Sequence, residues 1–124
     1  MKYLVFALGI AALPAMASEE TEMPAFWYDL IAAENLASLM ANGCEELTFD
    51  RLVAYRLRNH ATSELADYGI HLRTPTLPMS QTGIQLASIR VAEGVSLGDN
   101  LCEFARTHLA MKSEIGLRLK HAGE

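Results

Sequence analysis

The apolar residues that follow position 22 recur at intervals of three and four, the spacing that places side chains on one face of an α-helix. Four segments show this pattern, at about 24–42, 48–68, 80–93 and 97–120. The last is the most regular, and its stripe consists of Phe104, His108, Met111, Ile115 and Leu119. The pattern therefore predicts four helices, of which the last runs to residue 120.

Residues that typically begin or end a helix separate these segments. Pro24 suits the first turn of a helix, and Asn42-Gly43 is a typical helix end. Thr48 is the predicted N-cap of the second helix, which we expect to end at Gly69. Because no segment alternates between apolar and polar residues, the sequence predicts no strands. The predicted fold class is all-α, a small antiparallel bundle of about four helices with short connections.

The first residues have the pattern of a signal peptide. Lys2 supplies a positive charge, residues 3–13 are apolar, and a small-residue cleavage site, Ala15-Met16-Ala17, follows. The alternative is an uncleaved membrane anchor, but about 15 apolar residues are short for a span of roughly 20. We therefore predict a cleaved signal peptide at 1–17 and a single helical domain at 18–124, in the periplasm or outside the cell. Residues 18–22 are predicted to be a disordered acidic leader.

Cys44 and Cys102 are the two cysteines of the chain. An exported protein with two cysteines most simply joins them in one disulfide. In an up-down-up-down bundle, the first connection and the start of the fourth helix lie at the same end, and the two cysteines occupy these places. The sequence therefore predicts a structural Cys44–Cys102 disulfide that staples the bundle.

Acidic residues outnumber basic ones, with 15 Asp and Glu against 10 Lys and Arg. This balance argues against nucleic acid and anionic lipid as partners, since both favour clusters of basic residues. Residues 18–50 contain no Lys or Arg, whereas basic residues are in excess from Arg51 onward. We expect the acidic first helix to lie against the basic remainder; the alternative is a docking site for a cationic partner. After the signal peptide, no segment is apolar over the length of a membrane span.

The sequence lacks the motifs of common catalytic and metal sites. It contains no H-E-x-x-H, C-x-x-C-H or G-x-S-x-G and no phosphate-binding loop. We therefore predict no metal, no cofactor and no enzymatic activity. His60 and Glu64 have the spacing of a surface pair on a helix, and His108 on the apolar stripe is interpreted as a hydrogen-bonded core histidine. The alternative is an enzyme with a site between the helices that uses these three residues.

Phe26, Trp27 and Tyr28 are three successive aromatic residues, which cannot share one face of a helix. Core packing accounts for two of them, and at least one is expected to point outward. Exposed aromatic side chains often carry binding energy in protein interfaces. We therefore take this cluster as the candidate contact for a protein partner.

The segment from Cys102 onward resembles the carboxyl-terminal signature of an uncharacterised family of short exported bacterial proteins with two cysteines. In that family a cysteine is followed, at fixed spacing, by an arginine and then by a Ser-x-Ile-Gly-x-x-Leu run. Here these positions are Cys102, Arg106, Ser113, Ile115, Gly116 and Leu119. The chain departs from the family at His108, which replaces a glutamate, and Tyr68-Gly69 stands in place of a Gly-Tyr-Ser turn. The resemblance implies export and fold, but no activity.

Glycine is unfavourable inside a helix, by about 1 kcal/mol relative to alanine. Gly116 within the predicted last helix therefore indicates a close helix crossing.

Together these features favour a non-enzymatic, exported helical protein that acts by binding another protein. A more specific alternative is a resemblance to the small acid-stress chaperones, which are also exported, helical and built on one cysteine pair. The segment Cys44-Glu45-Glu46-Leu47 is loosely similar to the one around their first cysteine.

Overall fold

The computed structural model describes residues 23–71, 79–98 and 100–123. Within these residues it has four α-helices, one turn of 3₁₀ helix and two short strands. In chain order they are α1 (Ala25–Gly43), β1 (Leu47–Phe49), α2 (Arg51–Asp67), α3 (Gln81–Ala92), α4 (Leu101–Met111), the 3₁₀ turn (Gly116–Arg118) and β2 (Leu119–His121). The predicted signal peptide and acidic leader lie outside the described residues.

Helix α1 lies at the centre of the fold and packs against α2, α3, α4 and β1. Its most extensive contact is with α3. Ala33 and Ala37 on α1 and Ala87 on α3 are completely buried, and side chains this small let two helices approach closely. Met40 near the end of α1 is also fully buried, so the core follows this helix along its length.

A two-stranded antiparallel sheet makes the fold mostly helical rather than all-α, which corrects the predicted fold class. In this sheet Leu47 pairs with His121, Thr48 with Lys120, and Phe49 with Leu119. Thr48 is therefore a strand residue and not the N-cap of α2. Asp50 is the cap, and its side chain accepts a hydrogen bond of 3.2 Å from the backbone N–H of Val53. Three residues are too few to produce a visible alternation in the sequence.

The prediction that the last helix spans residues 97–120 is wrong at both ends. Helix α4 begins after Asn100, whose side chain accepts a hydrogen bond of 3.1 Å from the N–H of Glu103. It ends at Met111, because Lys112 adopts a left-handed conformation with a φ of 53°. The apolar spacing continues beyond this point since Ile115 and Leu119 are both buried, but they reach the core from a turn and a strand. Periodicity alone could not distinguish these two ways of burying apolar residues.

The disulfide prediction is confirmed: Cys44 and Cys102 are joined, with their Cα atoms 5.0 Å apart. The bond connects the residue that follows α1 to the first turn of α4. Cys44 is completely buried. The described helices thus bring both cysteines to one end of the fold, as the predicted topology requires.

The acidic first part of the chain is joined to the basic remainder by three ion pairs. They are Asp29–Arg90, with Oδ1 and Nη2 2.7 Å apart, Glu34–Arg58, and Glu46–Arg106, with Oε1 and Nη1 2.5 Å apart. The hydrogen bonds that Arg58 donates to the Glu34 carboxylate raise the pKa of Arg58, and burial partly opposes this effect. Each pair links two different parts of the fold, so the uneven charge distribution contributes to how the elements are held together.

Candidate functional site

The structure separates the three residues of the aromatic cluster. Trp27 and Tyr28 are buried in the core, with 4% and 5% of their surface exposed. The hydroxyl of Tyr28 accepts a hydrogen bond of 2.9 Å from the backbone N–H of Ser80, just before α3. Phe26 is half-buried, and the centroid of its ring lies 5.6 Å from the ring centroid of Tyr68. Of the cluster, Phe26 is therefore the residue that a partner or ligand can reach.

His108 and Ser113 form a buried pair that shapes the turn after α4. The Nδ1 atom of His108 lies 2.6 Å from Oγ of Ser113, and this Oγ accepts a hydrogen bond of 3.1 Å from the N–H of Gly116. Serine next to histidine is also the composition of a nucleophile and its base. Because the exposed fractions are 0% and 6%, solvent does not reach the pair, and we assign it a structural role.

Burial lowers the pKa of His108, because the imidazolium would lose its hydration; the negative charge of Glu93 partly opposes this effect. The folded protein then binds fewer protons than the unfolded chain. The stabilisation is complete above the unfolded pKa of about 6.5 and is lost as the pH falls through the lower, folded pKa. We predict that the free energy of unfolding decreases below about pH 6.5, with a slope of at most about 1.4 kcal/mol per pH unit from this residue.

Urea unfolding between about pH 7 and pH 5 tests this prediction. His108→Gln should lower stability at pH 7 but flatten the slope, since glutamine does not titrate. His60→Gln is the matched control because His60 is an exposed histidine of α2. A slope that is unchanged in His108→Gln would contradict the assignment of a neutral, buried imidazole.

A cavity of about 310 Å³ lies between α1, α2 and the segment that follows α4. We call it the Arg118 cavity. One part of its lining is apolar and the other is charged or polar. The apolar part consists of Phe26, Leu30, Leu57 and Ala61. The charged or polar part consists of Asp29, His60, Glu64, Glu114 and Arg118. It brings Phe26 of the aromatic cluster together with the predicted surface pair His60–Glu64, whereas His108 lies in the core and is not part of this lining.

Arg118 is the unusual residue of this cavity, because its side chain is 1% exposed. Its Nη1 donates to the backbone oxygen of Glu114 at 2.5 Å and lies 3.2 Å from the Glu114 carboxylate. Its Nε is buried and has no hydrogen-bond partner among the described residues. The backbone oxygen of Arg118 accepts a hydrogen bond of 2.8 Å from the backbone N–H of Asp50. This bond holds Arg118 beside the end of β1, just before β2 begins.

The helical pattern of the sequence does not identify Arg118 as a site residue. It lies between Leu117 and Leu119, and an arginine within an apolar segment is the one signal that could have identified it. In the predicted long helix it occupied an ordinary surface position. Only the turn after α4 directs it inward, so the residue could not be recognised from helical spacing.

His60 and Glu64 form the pair that their spacing predicts, with Nε2 and a carboxylate oxygen 3.7 Å apart. The side chain of His60 is 75% exposed. A general base needs a fixed position within hydrogen-bond reach of its substrate. A histidine this exposed is not held in such a position.

A second concave surface lies on another side of α1, between α1, α3 and the start of α4. Its volume is about 370 Å³, and we call it the apolar groove. Its lining is almost entirely hydrophobic and consists of Leu36, Leu39, Met40, Ser88, Ile89, Ala92, Val95, Leu97 and Phe104. Ile89, Leu39 and Leu97 are 69%, 50% and 48% exposed. Large apolar side chains that converge on one exposed surface are typical of interaction sites.

Cys44, Glu46 and Cys102 have atoms close enough together to hold a metal ion. Both sulfurs are in the disulfide, however, and a thiolate is needed to bind a metal. The carboxylate of Glu46 is occupied by Arg106. With its cysteines oxidised, this cluster does not form a metal site.

None of the helices in the described ranges is both long and apolar enough to cross a membrane. Compared with protein-family models, with curated proteins and with solved structures, the chain gives no match. The resemblance of its carboxyl-terminal segment to exported two-cysteine proteins therefore stays a prediction.

Proposed function

We propose that this protein is a non-enzymatic, exported protein that binds another protein through the apolar groove. The observation that carries the proposal is the exposure of Leu39, Ile89 and Leu97 on one concave surface. Burying a side chain of this size contributes about 1.5–3 kcal/mol. Three such side chains around one groove supply enough apolar surface for the central part of an interface.

The charges beside the groove indicate the chemistry of the partner. Glu93 follows the lining residue Ala92, Glu103 precedes Phe104, and both are exposed. Arg90 is the basic residue adjacent in sequence to the lining, and it is paired with Asp29. The expected partner segment is therefore apolar on one side and flanked by Lys or Arg, as in an amphipathic helix that lies in a groove.

The disulfide supports the same proposal. Met40 lies four residues before Cys44 and Phe104 two residues after Cys102, and both line the groove. The bond therefore fixes two walls of the groove relative to each other. A site that is fixed before binding loses less conformational entropy when the partner arrives. Disulfides also persist mainly outside the cytosol, which supports export.

The acid-stress chaperone is the second candidate, and the three ion pairs favour it. Each joins two parts of the fold through a carboxylate of the acidic first part. At about pH 3 most carboxylates of proteins are neutral, and ion pairs between carboxylates and arginines are then weakened. The groove would then widen and expose more apolar surface.

Photo-crosslinking in the producing cells tests both candidates. We replace Ile89 with a photo-reactive amino acid and, as the matched control, Leu52, an exposed leucine of α2 that is not part of the groove. At pH 7 we expect one discrete product from position 89 and none from position 52. Mass spectrometry of the crosslinked peptide should identify an apolar segment flanked by Lys or Arg, and Leu39→Asp should abolish the product.

The two candidates differ in their response to acid. Many different products that appear at position 89 only near pH 3 would identify the chaperone. Equal products from positions 89 and 52 at both pH values would contradict binding through the groove.

A further inference from the structure

The Arg118 cavity is lined by a residue with a buried donor that has no acceptor within the described ranges. A buried hydrogen-bond donor without an acceptor is costly, and such donors are rare in folded proteins. The Nε of Arg118 is buried without a partner among the described residues, while Nη1 is bound to Glu114. The cavity beside Arg118 is the place from which an acceptor could come.

The carboxylates of the cavity are not all neutralised. Asp29 is paired with Arg90, and Glu114 with Arg118. Among the described residues Glu64 forms an ion pair with the exposed His60, at 3.7 Å, and none with a Lys or Arg. Within the described residues, the lining therefore includes one carboxylate without a Lys or Arg partner, Glu64, and one arginine, Arg118, whose buried Nε has no acceptor.

These two features together restrict the ligand. An anion would meet an excess of negative charge, since the three carboxylates of the lining, Asp29, Glu64 and Glu114, have two guanidinium partners. A metal cation would be repelled by Arg118 and would give its N–H no acceptor. A ligand that carries a positive charge and, close to it, a neutral carbonyl oxygen satisfies both groups.

The apolar part of the lining adds a third requirement. Phe26, Leu30, Leu57 and Ala61 form a wall that can hold a hydrophobic side chain. The volume of about 310 Å³ is at the lower end of the range of roughly 300–1,000 Å³ for small-molecule sites. The cavity thus has room for about one amino-acid residue.

We propose that the Arg118 cavity binds the N-terminal residue of a peptide with an apolar side chain. Its ammonium group pairs with Glu64, and its first carbonyl oxygen accepts from Arg118. Its side chain packs on Phe26 and Leu57. The carboxylate side chains of Glu64 and Glu114 are 50% and 55% exposed, so they move aside readily as the ligand enters. This site shares no lining residue with the apolar groove and does not depend on the function proposed for it.

Three probes that differ by one group each test the proposal in the intact, oxidised protein. Leucinamide has the ammonium, the carbonyl and the apolar chain. N-acetylleucinamide lacks the positive charge, and 3-methylbutylamine lacks the carbonyl. In ¹⁵N-resolved NMR titrations, leucinamide should bind saturably and shift the side-chain Nε–H resonance of Arg118. The acetylated probe should bind at least about ten-fold more weakly, and the amine about five-fold more weakly.

Glu64→Gln should weaken leucinamide binding about five-fold, because it removes the charge but keeps the shape of the side chain. Glu45→Gln is the matched control, since Glu45 is an exposed carboxylate outside the lining. Three results would each overturn the proposal. They are no saturable binding of leucinamide up to about 10 mM, equal binding of all three probes, and equal effects of the two substitutions.

Discussion

Replacing Gly116 with alanine is expected to destabilise the protein by about 3 kcal/mol or more. A Cβ at this position would lie 1.9 Å from the backbone oxygen of His108 and 2.5 Å from its carbonyl carbon. These are backbone atoms at the end of α4, so they cannot rotate away as a side chain could. The turn would have to open, which would break the Ser113 contacts and displace Arg118. Urea unfolding followed by circular dichroism measures the loss.

Gly43→Ala is the control for this substitution. Its Cβ would lie 2.9 Å from Cδ1 of Leu101, the end of a flexible side chain that can shift. Gly43 is also the last residue of α1, where alanine has the better helix propensity. We expect a change of less than about 1 kcal/mol. Equal losses in the two variants would show that the turn after α4 does not require glycine.

The Cys44→Ser, Cys102→Ser double variant should lose about 2–5 kcal/mol, the usual cost of removing a native disulfide from a small domain. The cysteines are 58 residues apart, so the bond closes a long loop and restricts the unfolded chain strongly. For a domain of this size the loss is comparable with the whole free energy of unfolding. Denaturant unfolding under non-reducing conditions measures it.

The wild-type protein after complete reduction is the control, and it should reproduce the loss of the double variant. Because the bond also fixes Met40 relative to Phe104, crosslinking from position 89 should fall even at temperatures where the variant remains folded. Two free thiols in protein isolated under thiol-blocking conditions would contradict the bond.

The helices were predictable because their signals are local. Ser80 and Gly94 bracket α3, and the structure places the helix between them, at Gln81–Ala92. The carboxyl-terminal turn was not predictable in this way. Ile115 and Leu119 satisfy a helical stripe as well as they satisfy the turn and the strand. The close packing of Gly116 against the backbone of His108 favours the turn over a continued helix. This contact joins residues eight positions apart and cannot be identified from helical spacing.

In the candidate sites, too, some residues are predictable from the sequence alone and others are brought together only by the fold. Spacing was sufficient to pair His60 with Glu64, and the cysteine count was sufficient to pair Cys44 with Cys102. The Arg118 cavity combines residues from α1, α2 and the last turn, so its composition depends on how these elements meet. Arg118 in particular is directed inward by a turn that the helical pattern concealed.

The pairing of β1 with β2 has a consequence for how the chain folds during synthesis. Phe49 meets its partner Leu119 only after about seventy further residues have been made, and contacts between such distant positions form slowly. Until then Leu47 and Phe49 belong to an unpaired apolar strand, which can associate with other chains. The nascent protein therefore stays incompletely folded until its last strand emerges. For the export that we propose, this delay would keep the chain unfolded during translocation, and it makes the nascent chain dependent on whatever holds it soluble until then.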